Sequence, residues 1–452
     1  MGSMTKKSSY WISSGKFTLL ERLSLLFTGI LNFYLLVRVM DKEDYGTWII
    51  FLTITTLLDT ARNGFFQNPL IRFLNNGEET PEQKIKIQYT SFILNLGLST
   101  AFALLMLLVM YPISIAWDNS ELFTLFLIYL GTNIVHSFLF HFEYILKANF
   151  RFKGSFLAVL IRGISLIVII SYYFITKTHL PIWLLAVYYS ISAFIGVIFS
   201  YFFVRDIFVI GKSFDRVWAR QLFGYGSYTL GSNISAVLLR YIDTWMLGIF
   251  ISPVAVAVYN VAIRIANLFE VPSMAIASML FPKAVQQAKE KGDKAFKDLY
   301  EKSVAVIILL VFPFVILAIT FSDQIILLLA GEEYMETANI LKVTMLYGLI
   351  IPLNKQMGIL LEAIGKAKKN MLFVARNAAI NFVLNAIAIP IYGTIGAAYA
   401  TLATMLIAAV LNQVYMAKHF NVEFLSLPKY LKMYTFMIFS RLKSLSTGIG
   451  KQ

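Results

Sequence analysis

Long apolar runs separated by short polar connections make up nearly the whole chain. Runs of eighteen or more nearly uncharged residues recur along its 452 residues, and each is long enough to cross a bilayer as an α-helix. The pattern predicts an all-α polytopic membrane protein with about twelve transmembrane helices. The predicted spans are 17–40, 46–71, 87–110, 121–146, 155–175, 182–204, 221–250, 254–281, 303–321, 337–361, 370–390 and 394–417.

The connection at 205–220 divides these spans into two sets of six. We therefore predict an N-terminal six-helix bundle at 1–204, a cytoplasmic linker at 205–220, a C-terminal six-helix bundle at 221–418 and a basic tail at 419–452. Because six is even, both halves enter the membrane in the same direction, as parallel repeats do. The tail segment 424–444 is apolar but basic, which favours a helix that lies in the membrane interface.

Basic residues are concentrated in alternate connections. Lys and Arg number 28 in the two termini and the connections on one side of the predicted membrane, against Lys42 and Lys177 on the other. Because cytoplasmic loops carry the basic residues, both termini are predicted to be cytoplasmic. This asymmetry accounts for most of the net charge of +14, so the charge requires no nucleic-acid partner.

Composition excludes several kinds of chemistry. Hydrophobic residues make up 58% of the chain and charged residues 14%, whereas a soluble domain carries about 25% charged residues. The absence of cysteine excludes disulfides and thiol chemistry. The four histidines, at 136, 141, 179 and 419, form no metal-ligand pattern, and we predict no metal site. No Gly-x-x-x-x-Gly-Lys loop is present, so ATP is not the predicted energy source.

Charged residues nevertheless lie inside the predicted spans. A charge at the bilayer centre costs about 2.5–3.5 kcal/mol, so these side chains must face one another or water. Nine bases against five acids leave a surplus of positive charge, and guanidinium groups match phosphate oxygens in a bidentate manner. We predict a cavity between the two halves, lined by spans 1, 2, 7 and 8, that binds an anionic, phosphorylated cargo. The candidate arginines are Arg22, Arg62, Arg240, Arg264, Arg162 and Arg376.

Buried acids accompany these arginines. Asp59 with Arg62, and Asp243 with Arg240, stand three residues apart and so share a helix face. Such acids either neutralise the arginines and fix helix packing, or couple transport to a proton or sodium gradient. Asp59, Asp243 and Glu270 are the candidates, and no other cofactor is predicted.

Several stretches resemble the polysaccharide transporter family of the MOP exporter superfamily, the Wzx-type flippases of O-antigen and capsule repeat units. They are "MDKEDYGTWIIF" (40–51), "YTLGSNISAVLLRYIDTWMLGIFISPVAVAVYNVAIRIANL" (228–268), "LLLAGEEYMETANILKV" (327–343) and "GKAKKNMLFVARNAAINFVLNAIAIPIYGTIGAAYAT" (365–401). Their order along the chain, together with twelve spans, carries the resemblance.

The resemblance implies a protein of the bacterial inner membrane with two six-helix bundles that form a V around a central cavity. It also implies that an undecaprenyl-pyrophosphate-linked oligosaccharide moves from the inner to the outer leaflet by alternating access, with the pyrophosphate bound by cavity arginines. Membrane lipids and the glycan polymerase and chain-length machinery are the other expected partners. The candidate glycan contacts are Asn63, Gln67, Asn233, Asn267, Asn381 and Asn385, although an interhelical hydrogen bond is the simpler role for an asparagine inside a span.

Three alternatives stay open at this point. A multidrug exporter of the same superfamily would favour an acidic, aromatic cavity, which the arginine surplus does not match. A major-facilitator transporter would carry a basic loop motif after the second span, where this chain has "NNGEETPEQKIK" (75–86). A polymerase or glycosyltransferase of the same glycan pathway would carry a large outer loop or an acidic metal motif. We therefore predict a transporter rather than an enzyme.

Overall fold

The described part of the chain, in the computed structural model, is helical throughout. The structure describes the backbone of 2–75, 79–208, 213–423 and 428–436, and the side chains of these ranges except 2–15, 228–229, 232, 269–275 and 277–295. Every regular element in these ranges is a helix. The predicted all-α membrane fold is confirmed.

The chain divides into two compact units. The first comprises Met1–Val237 with Ser252–Ala257, and the second comprises Leu238–Ile251 with Val258–Gln452. The first seven helices are α1 Gly2–Val39, α2 Lys42–Asn75, α3 Pro81–Ala116, α4 Ser120–Ala148, α5 Phe152–Thr176, α6 Ile182–Val204 and α7 Arg216–Phe250. Helix α7 contributes to both units. The later helices are α8 Pro253–Ala266, α9 Glu270–Thr320, α10 Ser322–Leu329, α11 Thr337–Met345, α12 Tyr347–Ala363, α13 Ala367–Tyr392 and α14 Thr394–Phe420. The predicted boundary at 205–220 stays a prediction.

By length and composition, eight helices of the described part can cross a membrane. Their outward faces carry large apolar side chains, such as Leu108 on α3, Ile175 on α5 and Phe202 on α6. Lipid is the solvent that suits such faces. Helices α2 and α7 are 34 and 35 residues long, which is also sufficient to span a bilayer.

Three elements differ from the sequence prediction. The predicted span 254–281 is divided by the 3₁₀ turn Asn267–Phe269 into α8 and the start of α9. Helix α9 runs without interruption from Glu270 to Thr320, through the region 282–302 that was predicted as a connection. This region is rich in Ala, Lys, Glu and Gln, which are strong helix formers, so the polar stretch extends the helix. The predicted span 337–361 is instead two helices that meet at Leu346. Pro352, one turn into α12, cannot donate to the carbonyl of Gly348, which weakens the helix near this break.

Local sequence signals account for other helix ends. Thr80 caps α3 through a reciprocal capping box with Gln83, and Pro81 occupies the first helical position. Gly393, at φ +66°, makes the turn between α13 and α14. Three residues later, a Cβ atom on Gly396 would lie 2.2 Å from the carbonyl oxygen of Ala388, so only glycine fits at this position.

The second unit has an apolar core to which the tail helix, residues 428–436, is attached. Phe296 of α9 stacks on Phe420 of α14 with ring centroids 3.9 Å apart. Tyr430, Leu431 and Tyr434 of the tail helix pack against this core. These three side chains share one face of the tail helix, and 424–427 and 437–444 of the predicted interfacial segment lie outside the described residues.

Candidate functional site

A buried polar cluster in the first unit is centred on Arg62 of α2. The Arg62 side chain is fully buried, and its guanidinium donates to Asp59 Oδ1 at 2.8 Å and to Ser99 Oγ at 3.0 Å. The same group also donates to the side-chain and backbone oxygens of Asn133. Helices α2, α3 and α4 therefore meet around one cation.

Asp59 links this arginine to two further side chains of α4. The Nδ1 atom of His136 lies 3.2 Å from an Asp59 oxygen, and the Tyr129 hydroxyl donates to Asp59 at 3.3 Å. Arg62 Nε and His136 Nε2 have no hydrogen-bond partner among the described residues. Enclosed by protein on several sides, the Arg62 guanidinium stabilises the packing of three helices, and its predicted role in cargo binding stays a prediction.

A second buried polar cluster, in the second unit, is centred on Asp243 of α7. The carboxylate accepts hydrogen bonds from the Tyr259 hydroxyl at 2.6 Å, from the Thr401 hydroxyl at 2.6 Å and from Asn385 Nδ2 at 2.8 Å. All three donors are neutral, and Asp243 makes no ion pair with any described cation, Arg240 included. Asp243 is 5% exposed, so its carboxylate is held in the interior by hydrogen bonds alone.

Two asparagines of α13 complete this cluster. Asn385 donates to Asn381 Oδ1 at 3.1 Å, and Asn381 donates to the Thr401 hydroxyl at 3.0 Å. The Oδ1 atom of Asn385 has no partner among the described residues. Asp243 and Asn385 each stand seven residues before the end of their helix, at Phe250 and Tyr392, so both lie about 10 Å from it.

A cavity of about 370 Å³ lies within the second unit, between α12, α13 and α14. Each helix contributes one face, because its lining residues recur at helical spacing. Those of α13 are Asn370, Phe373, Val374, Asn377 and Asn381, and those of α14 are Thr401, Thr404, Met405, Ala408 and Asn412. From Asn370 to Asn381 the cavity extends about 16 Å along α13. At its upper end it reaches Asn381 and Thr401, which belong to the Asp243 cluster.

Two cations stand at this cavity. Lys355 of α12 lines it directly. Arg376 of α13 donates to two lining amides, Asn377 Oδ1 at 2.9 Å and Asn412 Oδ1 at 2.8 Å. Its guanidinium also lies 5.1 Å from the centre of the Phe373 ring. The cavity therefore combines apolar walls with amides and basic groups.

The remaining predicted arginines lie in different places. Arg22 of α1 and Arg240 of α7 are exposed, and Arg264 of α8 is partly exposed, with its Nε donating to Asn260 at 2.9 Å. Arg162 of α5 is half-buried, and its aliphatic part packs against Gly196 of α6. The predicted cavity between the two halves, with these arginines on its walls, stays a prediction.

The predicted polar contacts are also dispersed. Asn63 accepts from the Tyr144 hydroxyl within the first unit, and Gln67 and Asn233 are half-buried there. Asn267 is exposed in the 3₁₀ turn Asn267–Phe269. The side chain of Glu270 lies outside the described residues. Of the six predicted glycan contacts, Asn381 lines the cavity and Asn385 binds Asp243.

An acidic group lies at the turn between α1 and α2. Carboxylate oxygens of Asp41 and Asp44 stand 3.8 and 3.5 Å from His179 Nε2. Burial, followed by the nearby carboxylates of Asp41 and Glu121, raises the pKa of Asp44 to about 7. Spacing along the chain did not reveal this group, because His179 is 135 residues away from Asp44. Asp41 and His179 are exposed and Asp44 is half-buried, which suits a cluster of charges at the protein surface.

Sequence reasoning missed Asn354, Asn377 and Asn412 as well. Asn354 accepts from Asn412 Nδ2 at 2.8 Å, and both line the cavity. A usable signal was present, since Asn370, Asn377 and Asn381 share one face of α13. Their partners on α12 and α14 could be identified only from the packing.

A family model described as "Polysaccharide biosynthesis protein" matches residues 35–339. The chain is 26% identical over 206 residues to a Haloferax volcanii protein named "Probable low-salt glycan biosynthesis flippase Agl15", covering 46% of this chain and 44% of that one. It is 25% identical over 221 residues to a Shigella flexneri protein named "Putative O-antigen transporter", covering 48% and 52%. The match spans about half the length of these relatives.

Solved structures share the fold. An inward-facing multidrug resistance transporter of the MATE family, in the MOP superfamily, superposes with a TM-score of 0.77 at 15% identity, covering 90% of this chain and 96% of that one. The lipid II flippase MurJ in an inward closed conformation superposes with a TM-score of 0.76 at 15% identity, covering 96% and 93%. The MATE-like and MOP-type fold expected from the resemblance is therefore confirmed.

Proposed function

Because the chain belongs to the polysaccharide biosynthesis protein family, we propose that it is a flippase for lipid-linked oligosaccharide. The cargo is an undecaprenyl-pyrophosphate-linked repeat unit, which moves from the inner to the outer leaflet of the cytoplasmic membrane by alternating access. The names of its relatives, a glycan biosynthesis flippase and an O-antigen transporter, support this class of cargo. With 28 basic residues on one predicted side, both termini are cytoplasmic.

The polar interior of the second unit is the observation that carries the proposal. Buried polar groups in a membrane protein are costly and mark the path of a substrate or an ion. Here an amide-lined cavity with basic groups leads to a buried carboxylate, within a fold of transporters. A membrane anchor or scaffold would have no use for such an interior.

Exposed arginines supply the binding of the pyrophosphate. Arg22 and Arg240 are exposed on the surfaces of their units, and Arg264 is partly exposed. A guanidinium binds two phosphate oxygens at once, which a lysine cannot do. Arg62 differs from these three arginines, because its guanidinium is already surrounded by Asp59, Ser99 and Asn133.

Asp243 is the site at which transport is coupled to an ion gradient. A carboxylate held by neutral donors can take up a proton or a sodium ion without breaking an ion pair, and the free Oδ1 of Asn385 adds an oxygen for such a cation. Asp59 suits this role less well, because it already pairs with Arg62 at 2.8 Å.

The fold alone also permits a multidrug exporter, since the MATE and MurJ superpositions are of similar quality. An organic cation would be repelled by a cavity with Lys355 and Arg376 at its walls. Enzymes of the same glycan pathway are disfavoured because the family relatives are named as transporters.

The test is deletion of the gene followed by mass spectrometry of the lipid extract. The proposal predicts that complete lipid-linked repeat units accumulate and that surface glycan is lost. Arg264→Ala should fail to restore the glycan, whereas Arg216→Ala, at the exposed start of α7, should restore it. A normal lipid pool with intact glycan would contradict the proposal, and truncated intermediates would indicate an enzyme instead.

A further inference from the structure

The tail helix, residues 428–436, lies at the level where two candidate membrane spans end. The span Phe296–Thr320 of α9 begins at Phe296, and the span Thr394–Phe420 of α14 ends at Phe420. The rings of Phe296 and Phe420 stack with centroids 3.9 Å apart, so both spans end at one level. Because the tail helix packs against the apolar core that contains these rings, it is held at the boundary between hydrocarbon and water.

Ion pairs surround the same end of the second unit. Lys297 pairs with Glu423 at 2.7 Å, and Lys302 pairs with Asp298 at 3.1 Å. The backbone N–H of Glu423, just before the tail segment, donates to Glu301 Oε1 at 3.0 Å. Charged side chains near helix ends extend to the membrane interface, so this level suits lipid headgroups.

The tail helix has two opposite faces. The face described above packs against the core, and the other carries Lys429, Lys432, Met433 and Phe436, which recur at helical spacing. Met433 is 41% exposed and Phe436 is 75% exposed, and both lysines are exposed as well. Lysines beside large apolar side chains are typical of a helix that lies in the plane of the membrane interface.

The charge of this outward face favours an anionic partner. The tail helix contains two lysines and no acidic residue. The nearby carboxylate of Glu423 is attracted to Lys429, but it already binds Lys297 at 2.7 Å. Three lysines against this one carboxylate leave a surplus of positive charge, and lysine binds phosphate groups as a point charge.

We propose that the outward face of the tail helix binds anionic phospholipid. Lys429 and Lys432 contact the headgroup phosphates, and Met433 and Phe436 enter the acyl region next to them. Since the opposite face packs against α9, α12 and α14, the bound lipid is linked to this end of the second unit. The surface is separate from the Asp243 cluster and requires no particular cargo, so the proposal goes beyond the proposed function and does not depend on it.

The test uses a single fluorescent label on the full-length protein in nanodiscs, which is possible because the chain has no cysteine. Thr435→Cys places the label beside the outward face and leaves its four side chains intact. The nanodiscs contain equal amounts of phosphatidylglycerol and phosphatidylcholine, and either one or the other lipid is brominated to quench the label. Leu108→Cys, on the outward face of α3, is the lipid reference, and Glu82→Cys, exposed at the start of α3, is the water reference.

We expect brominated phosphatidylglycerol to quench the Thr435→Cys label more strongly than brominated phosphatidylcholine. The ratio of the two lipid affinities should be about fivefold for each lysine at low salt. In 1 M salt the ratio should fall towards one, because the Debye length is then only about 3 Å. The Leu108→Cys label should be quenched equally by both lipids.

Paired substitutions separate the two parts of the outward face. Lys429→Gln with Lys432→Gln should remove the preference for phosphatidylglycerol while quenching by both lipids persists. The matched control is Lys86→Gln with Lys153→Gln, which removes two exposed lysines of the first unit and should keep the preference. Met433→Gln with Phe436→Gln should reduce quenching by both lipids. All three pairs replace exposed side chains, so native-like melting temperatures are expected and are measured alongside.

Two results would overturn the proposal. Equal quenching of the Thr435→Cys label by both lipids at low salt, or a preference that survives Lys429→Gln with Lys432→Gln, would exclude recognition of the anionic headgroup. A label that neither lipid quenches, and that aqueous iodide reaches as readily as the Glu82→Cys label, would exclude contact with the membrane and assign the face to a water-soluble protein instead.

Discussion

Replacing Arg62 by alanine should destabilise the protein, because the arginine joins α2, α3 and α4. Removing one partner of a buried ion pair costs about 3–5 kcal/mol, since the other charge stays buried. In the variant, Asp59 would still accept a hydrogen bond from the Tyr129 hydroxyl and contact the His136 ring. We therefore expect a loss of stability at the lower end of this range. For a unit of this size, about 3 kcal/mol corresponds to a fall in melting temperature of about 6–12 °C.

The assay is thermal unfolding of the purified protein in nanodiscs, followed by intrinsic fluorescence. Ser99→Ala removes one hydrogen bond of the same cluster and should lower the melting temperature much less, because such bonds average about 0.6 kcal/mol in membrane proteins. Arg205→Ala, an exposed arginine beyond the end of α6, is the control. The double variant Asp59→Asn with Arg62→Ala should be less destabilised than the sum of the two single variants.

A melting temperature within about 2 °C of the native value for Arg62→Ala would refute this reasoning, given about 2–4 °C per kcal/mol. Additive effects of the Asp59 and Arg62 substitutions would refute it too. If Arg62→Ala were fully stable but unable to flip lipid, the arginine would bind cargo, as the sequence predicted. The measurement therefore distinguishes a structural role for Arg62 from a role in cargo binding.

Three further outcomes are expected. Gly396→Val should lower the melting temperature, because its Cβ would meet the backbone oxygen of Ala388 at 2.2 Å, whereas Gly97→Ala, with open space around it, should not. The pKa of Asp44 is raised to about 7 in the folded protein, so from about pH 4 to 7 the folded state holds a proton that the unfolded state has released. The free energy of unfolding therefore falls as pH rises through this range. Asp44→Asn should therefore gain melting temperature over the native protein at pH 8 but not at pH 4. The hydrogen bond from Arg151 lowers the pKa of Asp206, but this ion pair is exposed and is screened by salt. Asp206→Asn should therefore leave the melting temperature unchanged in high salt.

Much of the helix pattern could be predicted from the sequence. The span predicted at 182–204 coincides with α6, and those at 370–390 and 394–417 match α13 and α14 within three residues at each end. The uncharged, largely apolar run of α6 and the turn at Gly393 between α13 and α14 specify these elements locally. Helix α9 was harder, because its polar middle section is held as a helix by propensity and the apolar pattern gives no sign of it.

The environments of the buried charges could not be predicted in the same way. Ser99 and Asn133 lie 37 and 71 residues from Arg62, and Thr401 lies 158 residues from Asp243. Spacing along a helix suggested that Arg240 would pair with Asp243, but packing places Tyr259, Asn385 and Thr401 around this carboxylate instead. Long-range contacts of this kind depend on how the helices are arranged, which a single sequence does not encode locally.

Reconstituted flipping tests the central claim most directly. The native protein and Asp243→Asn would be placed in proteoliposomes with a lipid-linked oligosaccharide, and a glycosidase added outside would report the glycan that reaches the outer leaflet. We predict that the native protein exposes the glycan and that an imposed proton or sodium gradient accelerates this exposure. Asp243→Asn should lose the response to the gradient. Asp323→Asn, which replaces an exposed acid of α10, should keep the response. Glycan exposure no faster than in protein-free liposomes would contradict the account.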